Sequence, residues 1–209
     1  MKRVTLPEKA YAGYIFDLDG TLVDSMPVHY RAWRQALEEG GAPFEAFLPD
    51  EFYSYGGTAA VDVVAMINKK YGVHLSPQAT AQRKREIYMK LVDEYGVAPI
   101  KETIDFVHSL GVDAPIAIAT GSAMPGAIHT LMRAGLDDLF PLIITPDEVE
   151  RGKPFPDMFL LAAQLLHAQP NECVVFEDAV PGIQAAKAAG MDCVVVQTPP
   201  EYLRGSLSI

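Results

Sequence analysis

The sequence contains only two cysteines among its 209 residues and has no long apolar run. Cys173 and Cys193 each open a short apolar stretch, so both are predicted to be buried thiols at strand starts and not a disulfide or a metal pair. No stretch reaches the roughly 18 apolar residues that a membrane span needs. The N-terminus also lacks the apolar segment of a signal peptide. We therefore expect a soluble, cytoplasmic protein that does not enter a membrane.

Basic residues are also scarce. There are 17 Lys and Arg against 27 Asp and Glu, which gives a formal charge of −10 with no basic stripe. Binding to nucleic acid or to an anionic membrane through bulk charge is therefore not expected. An anionic substrate would need a local group of cations or a metal ion. Hydrophobic residues make up 49% of the chain, which is enough for one large domain or for a core domain with an insert.

Short continuous apolar runs predict strands that are covered on both faces. These runs lie at residues 14–19, 115–120, 141–145, 173–178 and 193–197. Amphipathic segments of helix length lie between the later runs, at about 124–135, 156–168 and 180–189. Alternating strands and helices indicate an α/β fold with a Rossmann-like, doubly wound parallel sheet.

The stretch between the first and second predicted strands has helical periodicity and no convincing strand. One of its helices is predicted to bury Val61, Val64, Ala65 and Ile67 and to end before Gly72. Another is predicted to begin with Ser76 as N-cap and Pro77 in the first turn. We therefore expect a core domain at residues 1–25 and 96–209 and an inserted helical domain at residues 26–95, called the helical insert below.

Polar side chains follow the predicted strands where each strand ends or just before the next helix. They are Asp17, Asp19, Thr120, Lys153, Glu177 and Asp178. Because the carboxyl ends of parallel strands meet at one edge of the sheet, these side chains are expected to converge there. The sequence thus predicts a ligand site at this edge.

The carboxylates in this group predict a metal ion, because like charges that are buried together are costly without a compensating cation. Oxygen-only ligands suit Mg²⁺, which is usually held by one or two carboxylates with water and substrate phosphate. Asp17, Asp19 and Asp178 fit that role. Glu177 is either an outer or water-mediated ligand or a residue that caps a turn.

The segment FDLDGT at residues 16–21 resembles the first motif of the haloacid dehalogenase superfamily. The resemblance implies that Asp17 is a nucleophile and Asp19 a general acid and base. Thr120 in IATGS resembles the second motif, Lys153 in GKPFPD the third, and residues 176–191 the fourth, which carries Asp178. The helical insert resembles the cap domain of the beta-phosphoglucomutase-like branch, which also contains phosphatases of the fructose-1-phosphatase type.

The same resemblance suggests further substrate-binding groups. The backbone amides of Gly121 and Ser122 would assist Thr120 in holding a phosphoryl group. His29 falls where similar proteins have a histidine near the acid/base, and Lys84 aligns with a lysine of the cap. Lys84 stands between Arg83 and Arg85, and for this basic cluster a solvated helix face is the alternative.

These features predict a Mg²⁺-dependent phosphatase that acts on a small sugar or polyol monophosphate and works as a monomer. A phosphomutase is the first alternative, but the stretch where mutases carry a phosphate-binding arginine has Thr58 here, and Ala123 follows the second motif. A non-catalytic relative that binds a phosphorylated ligand is the second alternative. A dinucleotide enzyme is disfavoured because G-x-G-x-x-G is absent after strand one, and a dehalogenase because Asp19 is present.

Overall fold

Five parallel strands form one sheet in the computed structural model, which describes residues 4–43 and 47–197. The strands are β1 (Gly13–Phe16), β2 (Ile116–Ala119), β3 (Ile143–Ile144), β4 (Cys173–Glu177) and β5 (Asp192–Val195), in the order β3-β2-β1-β4-β5. Ile15 in the central strand pairs with Ala117 on one side and with Val175 on the other. The strand order reverses between β1 and β4, which is the topological switch point where ligands bind in such sheets.

Helices cover both faces of the sheet. Leu131 of α6 (Met124–Ala134) and Ile104 of α5 (Lys101–Leu110) pack with Phe16 on one face. Phe159 of α7 (Asp157–Leu165) and Ala185 of α8 (Val180–Ala188) pack with Ile15 on the other. Burial on both faces explains why the strands are apolar at consecutive positions. The doubly wound α/β fold is confirmed.

The chain between β1 and α5 forms four helices and no named strand in its described part. They are α1 (Met26–Glu39), α2 (Pro49–Ser54), α3 (Ala60–Tyr71) and α4 (Pro77–Tyr95). Helices α1, α2 and α3 share a core around Trp33, Phe52 and Ile67. Helix α4 packs on α1 through Ile87 and Ala36. The division into two domains stays a prediction, and residues 1–3, 44–46 and 198–209 of the two predicted ranges lie outside the described residues.

The ends of two helices agree with the sequence signals. Ser76 accepts a hydrogen bond from the Ala79 amide at 3.4 Å and begins α4. Gly72 ends α3 with a φ of 67°, a left-handed conformation that glycine adopts at little steric cost. The predicted apolar face of α3 was partly wrong, because Val61 and Ala65 are exposed while Val63 is buried.

Other details complete the fold. Cys173 is buried and Cys193 is half-buried, and both are free thiols. Within residues 4–43 and 47–197, the helices are all too short or too polar to cross a lipid bilayer.

Candidate active site

The site lies at the carboxyl ends of β1, β2 and β4. Asp17 follows β1 directly, Thr120 follows β2, and Glu177 is the last residue of β4. The Asp17 amide donates to the Phe176 carbonyl at 2.9 Å, which holds the ends of β1 and β4 together. Parallel pairing of neighbouring strands thus brings distant segments of the sequence to one edge, as predicted from the strand pattern.

Lys153 links two buried carboxylates. Its Nζ donates to Asp17 Oδ1 at 2.6 Å and to Glu177 Oε1 at 2.7 Å, and all three side chains are 5% exposed or less. Glu177 Oε2 accepts from the Ala179 amide at 2.7 Å, next to the start of α8. Both oxygens of Glu177 therefore accept hydrogen bonds within the protein. These contacts fit a residue that positions Lys153.

Burial and charge act in opposite directions on these groups. Burial alone lowers the pKa of Lys153, but the charges of Asp17 and Glu177 overcome it and raise that pKa above the ordinary value. Lys153 is therefore a cation at neutral pH. Burial raises the pKa of Asp17 well above its ordinary value, and the Lys153 charge offsets only part of that shift. A second cation at the site would favour the ionised form of Asp17.

Asp178 completes a group of carboxylates that fits a metal ion. One oxygen each from Asp17, Glu177 and Asp178 lie within 4.8 Å of one another. Gly20 has a φ of 94°, and a Cβ built there would lie 2.0 Å from Asp178 Oδ2, so only glycine lets the loop after β1 pass this close. The all-oxygen donor set is the chemistry that Mg²⁺ prefers.

The carboxylate of Asp19 points to a different set of partners. It accepts from Ser25 Oγ and from Ser122 Oγ, each at 2.6 Å, and its Oδ1 lies 2.9 Å from His29 Nε2. Burial would raise the pKa of Asp19, but His29 and the two hydroxyls lower it below the usual range. This carboxylate is outside the metal-ligand group, so only the backbone carbonyl of Asp19 is left as a ligand. The structure thus separates Asp17 and Asp19 into different surroundings.

His29 and Lys84 extend this network into the helical insert. Lys84 Nζ lies 2.6 Å from His29 Nδ1, and the His29 ring stacks on Tyr88 at a centroid distance of 3.9 Å. Burial, and then the charge of Lys84, lower the pKa of His29. Burial lowers the pKa of Lys84 to about 8. Helices α1 and α4 therefore bring both predicted residues of the helical insert to Asp19.

A cavity of about 300 Å³ lies between the helical insert and the core. Asp17, Asp19, Thr120 and Ser122 line it from the core, and the loop of residues 55–59, called the covering loop below, lines it from the insert. The Ser122 amide donates to Thr120 Oγ1 at 3.0 Å, so the turn after β2 is held by its own atoms. A cavity with few convergent polar groups is the usual form of a small-molecule site.

The structure separates the three basic residues of α4. Arg83 turns outward to Glu39, with Nε at 2.6 Å from Oε2, whereas Lys84 and Arg85 line the cavity. Of the three basic residues, only Arg83 thus lies on a solvated helix face, which was the alternative for this cluster.

Several residues of the site were missed from the sequence. Ser25 precedes α1 and has the sequence position of an N-cap. Its hydroxyl group donates a hydrogen bond to Asp19 and makes no cap hydrogen bond. Tyr88, Arg85 and Asp147 also line the cavity. Tyr88 lies one helical turn beyond Lys84, and that spacing is a sequence signal that would have placed it on the same face of α4.

Comparison with known proteins agrees with this geometry. The family model for haloacid dehalogenase-like hydrolases matches residues 11–190. Fructose-1-phosphate phosphatase YqaB of Escherichia coli is 39% identical over 188 residues, which are 90% of this chain and 97% of that protein. Hexitol phosphatase A of the same organism is 35% identical over 194 residues, covering 92% and 86% of the two chains. The fold matches CbbY of Rhodobacter sphaeroides in complex with phosphate, with a TM-score of 0.79, 23% identity and coverage of 90% and 87%.

The chain belongs to the haloacid dehalogenase-like hydrolase family. It falls in the branch that includes the fructose-1-phosphate phosphatase. The fold class and the hydrolase family that we expected from the sequence are confirmed. The expected activity, hydrolysis of phosphoric monoesters, agrees with the family and with these relatives.

Proposed function

We propose that this protein is a Mg²⁺-dependent phosphatase of small sugar or polyol monophosphates that works through an aspartyl-phosphate on Asp17. The observation that carries the proposal is the contact of Asp17 with the Lys153 ammonium group at 2.6 Å, at the wall of a cavity and beside an acid/base candidate. The names of the two phosphatases above support the class of substrate. The monomeric state and cytoplasmic location stay predictions.

The first step transfers the phosphoryl group to the enzyme. A carboxylate oxygen of Asp17 forms a bond to phosphorus as the bond from phosphorus to the sugar oxygen breaks. Asp19, which would take up a proton from solvent when the substrate enters, gives that proton to the leaving oxygen. An incoming phosphate favours protonated Asp19, because a like charge raises the pKa of a carboxyl group. Lys153 stabilises the negative charge around Asp17 and the phosphoryl oxygens.

The second step returns the enzyme to its starting state. Asp19, now ionised, takes a proton from water, and the water oxygen bonds to phosphorus as the bond to Asp17 breaks. Ser25 and Ser122 hold the Asp19 carboxylate in place through both steps, each at 2.6 Å. Asp17, Asp178 and the carbonyl of Asp19 would hold Mg²⁺, which when bound offsets negative charge on the phosphoryl group.

Two positions of the cavity lining favour a phosphatase over a mutase. The covering loop places Thr58, and not an arginine, at the cavity, and Ala123 lines it from the core. A mutase needs a second phosphate site, and neither position offers a cation for it.

The test is phosphate release from a panel of sugar and polyol monophosphates with Mg²⁺, run beside a mutase assay. The mutase assay follows the conversion of β-glucose 1-phosphate into glucose 6-phosphate with a bisphosphate primer. We expect fast phosphate release and no isomerisation. Isomerisation with little release would establish the mutase, and binding of sugar phosphates without turnover would establish the non-catalytic relative.

A further inference from the structure

Two residues of opposite charge line the cavity in addition to the residues of the candidate site. Arg85 comes from α4 of the helical insert, and Asp147 comes from a 3₁₀ turn, Pro146–Glu148, that follows β3 in the core. Neither residue has a role in the chemistry proposed above. Their place in the lining raises the question of which part of a substrate they would contact.

Arg85 has no hydrogen bond or ion pair to another side chain within the described residues, whereas its neighbours on α4 do. Arg83 pairs with Glu39 and Glu86, and Lys84 contacts His29. Ala81, Lys84, Arg85 and Tyr88 line the cavity at the spacing of one helical face. A guanidinium on that face has five N–H donors and no acceptor, so its capacity is left for a ligand.

Asp147 is an exposed residue on a turn that is closed by hydrogen bonds. Glu148 Oε2 accepts from the Thr145 amide at 2.6 Å and from its hydroxyl at 2.8 Å, and the Asp147 amide donates to Thr145 Oγ1 at 3.4 Å. Within the described part of the chain, the Asp147 carboxylate itself has no side-chain partner. The turn thus fixes the backbone and leaves two acceptor oxygens for a ligand.

We propose that Arg85 and Asp147 select a substrate whose leaving group is neutral and carries several hydroxyl groups, an inference that rests on the phosphatase function above. A hydroxyl group donates to the carboxylate and accepts from the guanidinium, so a polyol satisfies both residues. A second phosphate would satisfy Arg85 only, and the charge of Asp147 would repel it. The pair therefore favours monophosphates over bisphosphates.

The experiment compares kcat/KM for three probes with Mg²⁺ present: fructose 1-phosphate, phenyl phosphate, which carries no hydroxyl on its leaving group, and fructose 1,6-bisphosphate. In Arg85→Ala and in Asp147→Ala, kcat/KM for fructose 1-phosphate is expected to fall about tenfold, with phenyl phosphate unchanged within about twofold. Asp147→Ala is further expected to raise kcat/KM for the bisphosphate relative to fructose 1-phosphate. Arg83→Ala is the matched control and is expected to leave all three values unchanged.

The outcomes separate this inference from the proposed function. Equal losses on fructose 1-phosphate and phenyl phosphate in the Arg85 and Asp147 variants, or no loss on either, would overturn the inference while the phosphatase stands. A preference of the wild-type enzyme for the bisphosphate would also overturn it, because Arg85 would then bind a second phosphate. Absence of phosphate release from every probe in the wild-type enzyme would overturn the proposed function and the inference with it.

Discussion

Among the individual residues, Lys153 balances the charge of the site by contacting Asp17 at 2.6 Å and Glu177 at 2.7 Å. Two buried carboxylates at this spacing would otherwise repel each other, and one of them would take up a proton. Lys153 holds the Asp17 carboxyl group and the Ala179 amide holds Glu177, while burial still raises the pKa of Asp17 above its ordinary value. In the proposed reaction, the contact with Lys153 would hold Asp17 in place for attack on phosphorus.

Replacement of Asp17 by asparagine tests this assignment directly. We expect Asp17→Asn to lower the rate of phosphate release by at least about a thousandfold, because an amide cannot form the covalent intermediate. Steady-state phosphate release measures the change, and mass spectrometry of the quenched wild-type enzyme detects the added phosphate. Asp138→Asn, at an exposed position, is the control. Activity of Asp17→Asn near that of the control would contradict the role of Asp17.

Lys84 gives a prediction about pH and stability. Burial lowers its pKa to about 8 from an ordinary value of 10.5, so between these pH values the unfolded chain binds more protons than the folded chain. Stability therefore rises with pH over this window, and burial of the charged form costs most at pH values below it. Lys84→Met removes this cost, so the variant is expected to gain stability relative to wild type, and to gain more at pH 7 than at pH 10. The gain in the free energy of unfolding at pH 7 is expected to be larger by about 2–3 kcal/mol than the gain at pH 10.

Urea unfolding of wild type and Lys84→Met at pH 7 and at pH 10 measures this difference. The exposed Lys187 is the control site, and Lys187→Met is expected to follow wild type at both pH values. Parallel stability curves for wild type and Lys84→Met would show that Lys84 titrates alike in the folded and unfolded chains.

The individual catalytic positions could be predicted from the sequence only in part. Asp17, Thr120 and Asp178 follow from strand ends, because the parallel sheet brings those ends to one edge whatever the side chains do. The partners of Asp19 could not be predicted in this way. Whether Ser25 caps α1 or donates to Asp19 depends on how the loop after β1 folds back, and a Ser before a helix permits both.

At the scale of elements, the covering loop is one of the contacts between the helical insert and the loops of the core that carry the candidate site. A Cβ built on Gly121 would lie 2.6 Å from the Gly57 carbonyl oxygen. A Cβ built on Gly57 would lie 3.1 Å from the Lys153 side chain. The covering loop therefore packs so closely on the turn after β2 that only a hydrogen atom fits on Gly121.

A methyl group at position 121 tests whether the close packing of the covering loop on this turn matters for turnover. We expect Gly121→Ala to lower kcat/KM about tenfold or more, because the covering loop must shift away from the turn. The unfolding free energy is expected to fall as well, because the new methyl meets backbone atoms of Gly57 that have to move. Gly152→Ala is the control, since a Cβ there meets no atom within 4 Å. Equal activity of the two variants would contradict the role of the contact.

Element prediction from the sequence was most successful where one physical signal acted alone. The five strands were found because burial on both faces leaves only apolar residues in β1, β2 and β4. Helix α5 was not singled out, and α2 was not resolved from its surroundings, because short helices give weak periodicity. Val61 was assigned to the buried face of α3, but it is 37% exposed and faces the cavity, a surface that local pattern does not reveal.

The whole molecule has a formal charge of −10, and its site must nevertheless bind an anion. Among the described residues that line the cavity, Lys84 and Arg85 are cations, and Lys153 lies buried behind Asp17. The catalytic edge also brings Asp17, Glu177 and Asp178 together, so without a metal ion it has more negative than positive groups. Both the affinity for phosphate and the stability of the carboxylate group are therefore expected to depend on Mg²⁺.

Metal dependence of folding tests this argument without relying on catalysis. A ligand that binds only the folded chain stabilises it by about 2.7 kcal/mol when present at 100 times its dissociation constant. Urea unfolding in excess Mg²⁺ and in EDTA is expected to show a gain of about this size for wild type. Asp178→Asn is expected to remove most of that gain, because it withdraws one of three carboxylates that lie within 4.8 Å. Asp138→Asn is the control, and Mg²⁺ is expected to stabilise the folded chain of this variant by the same amount as in wild type. EDTA is also expected to abolish phosphate release reversibly. Equal stability and equal activity of the wild-type protein with and without Mg²⁺ would contradict the metal site.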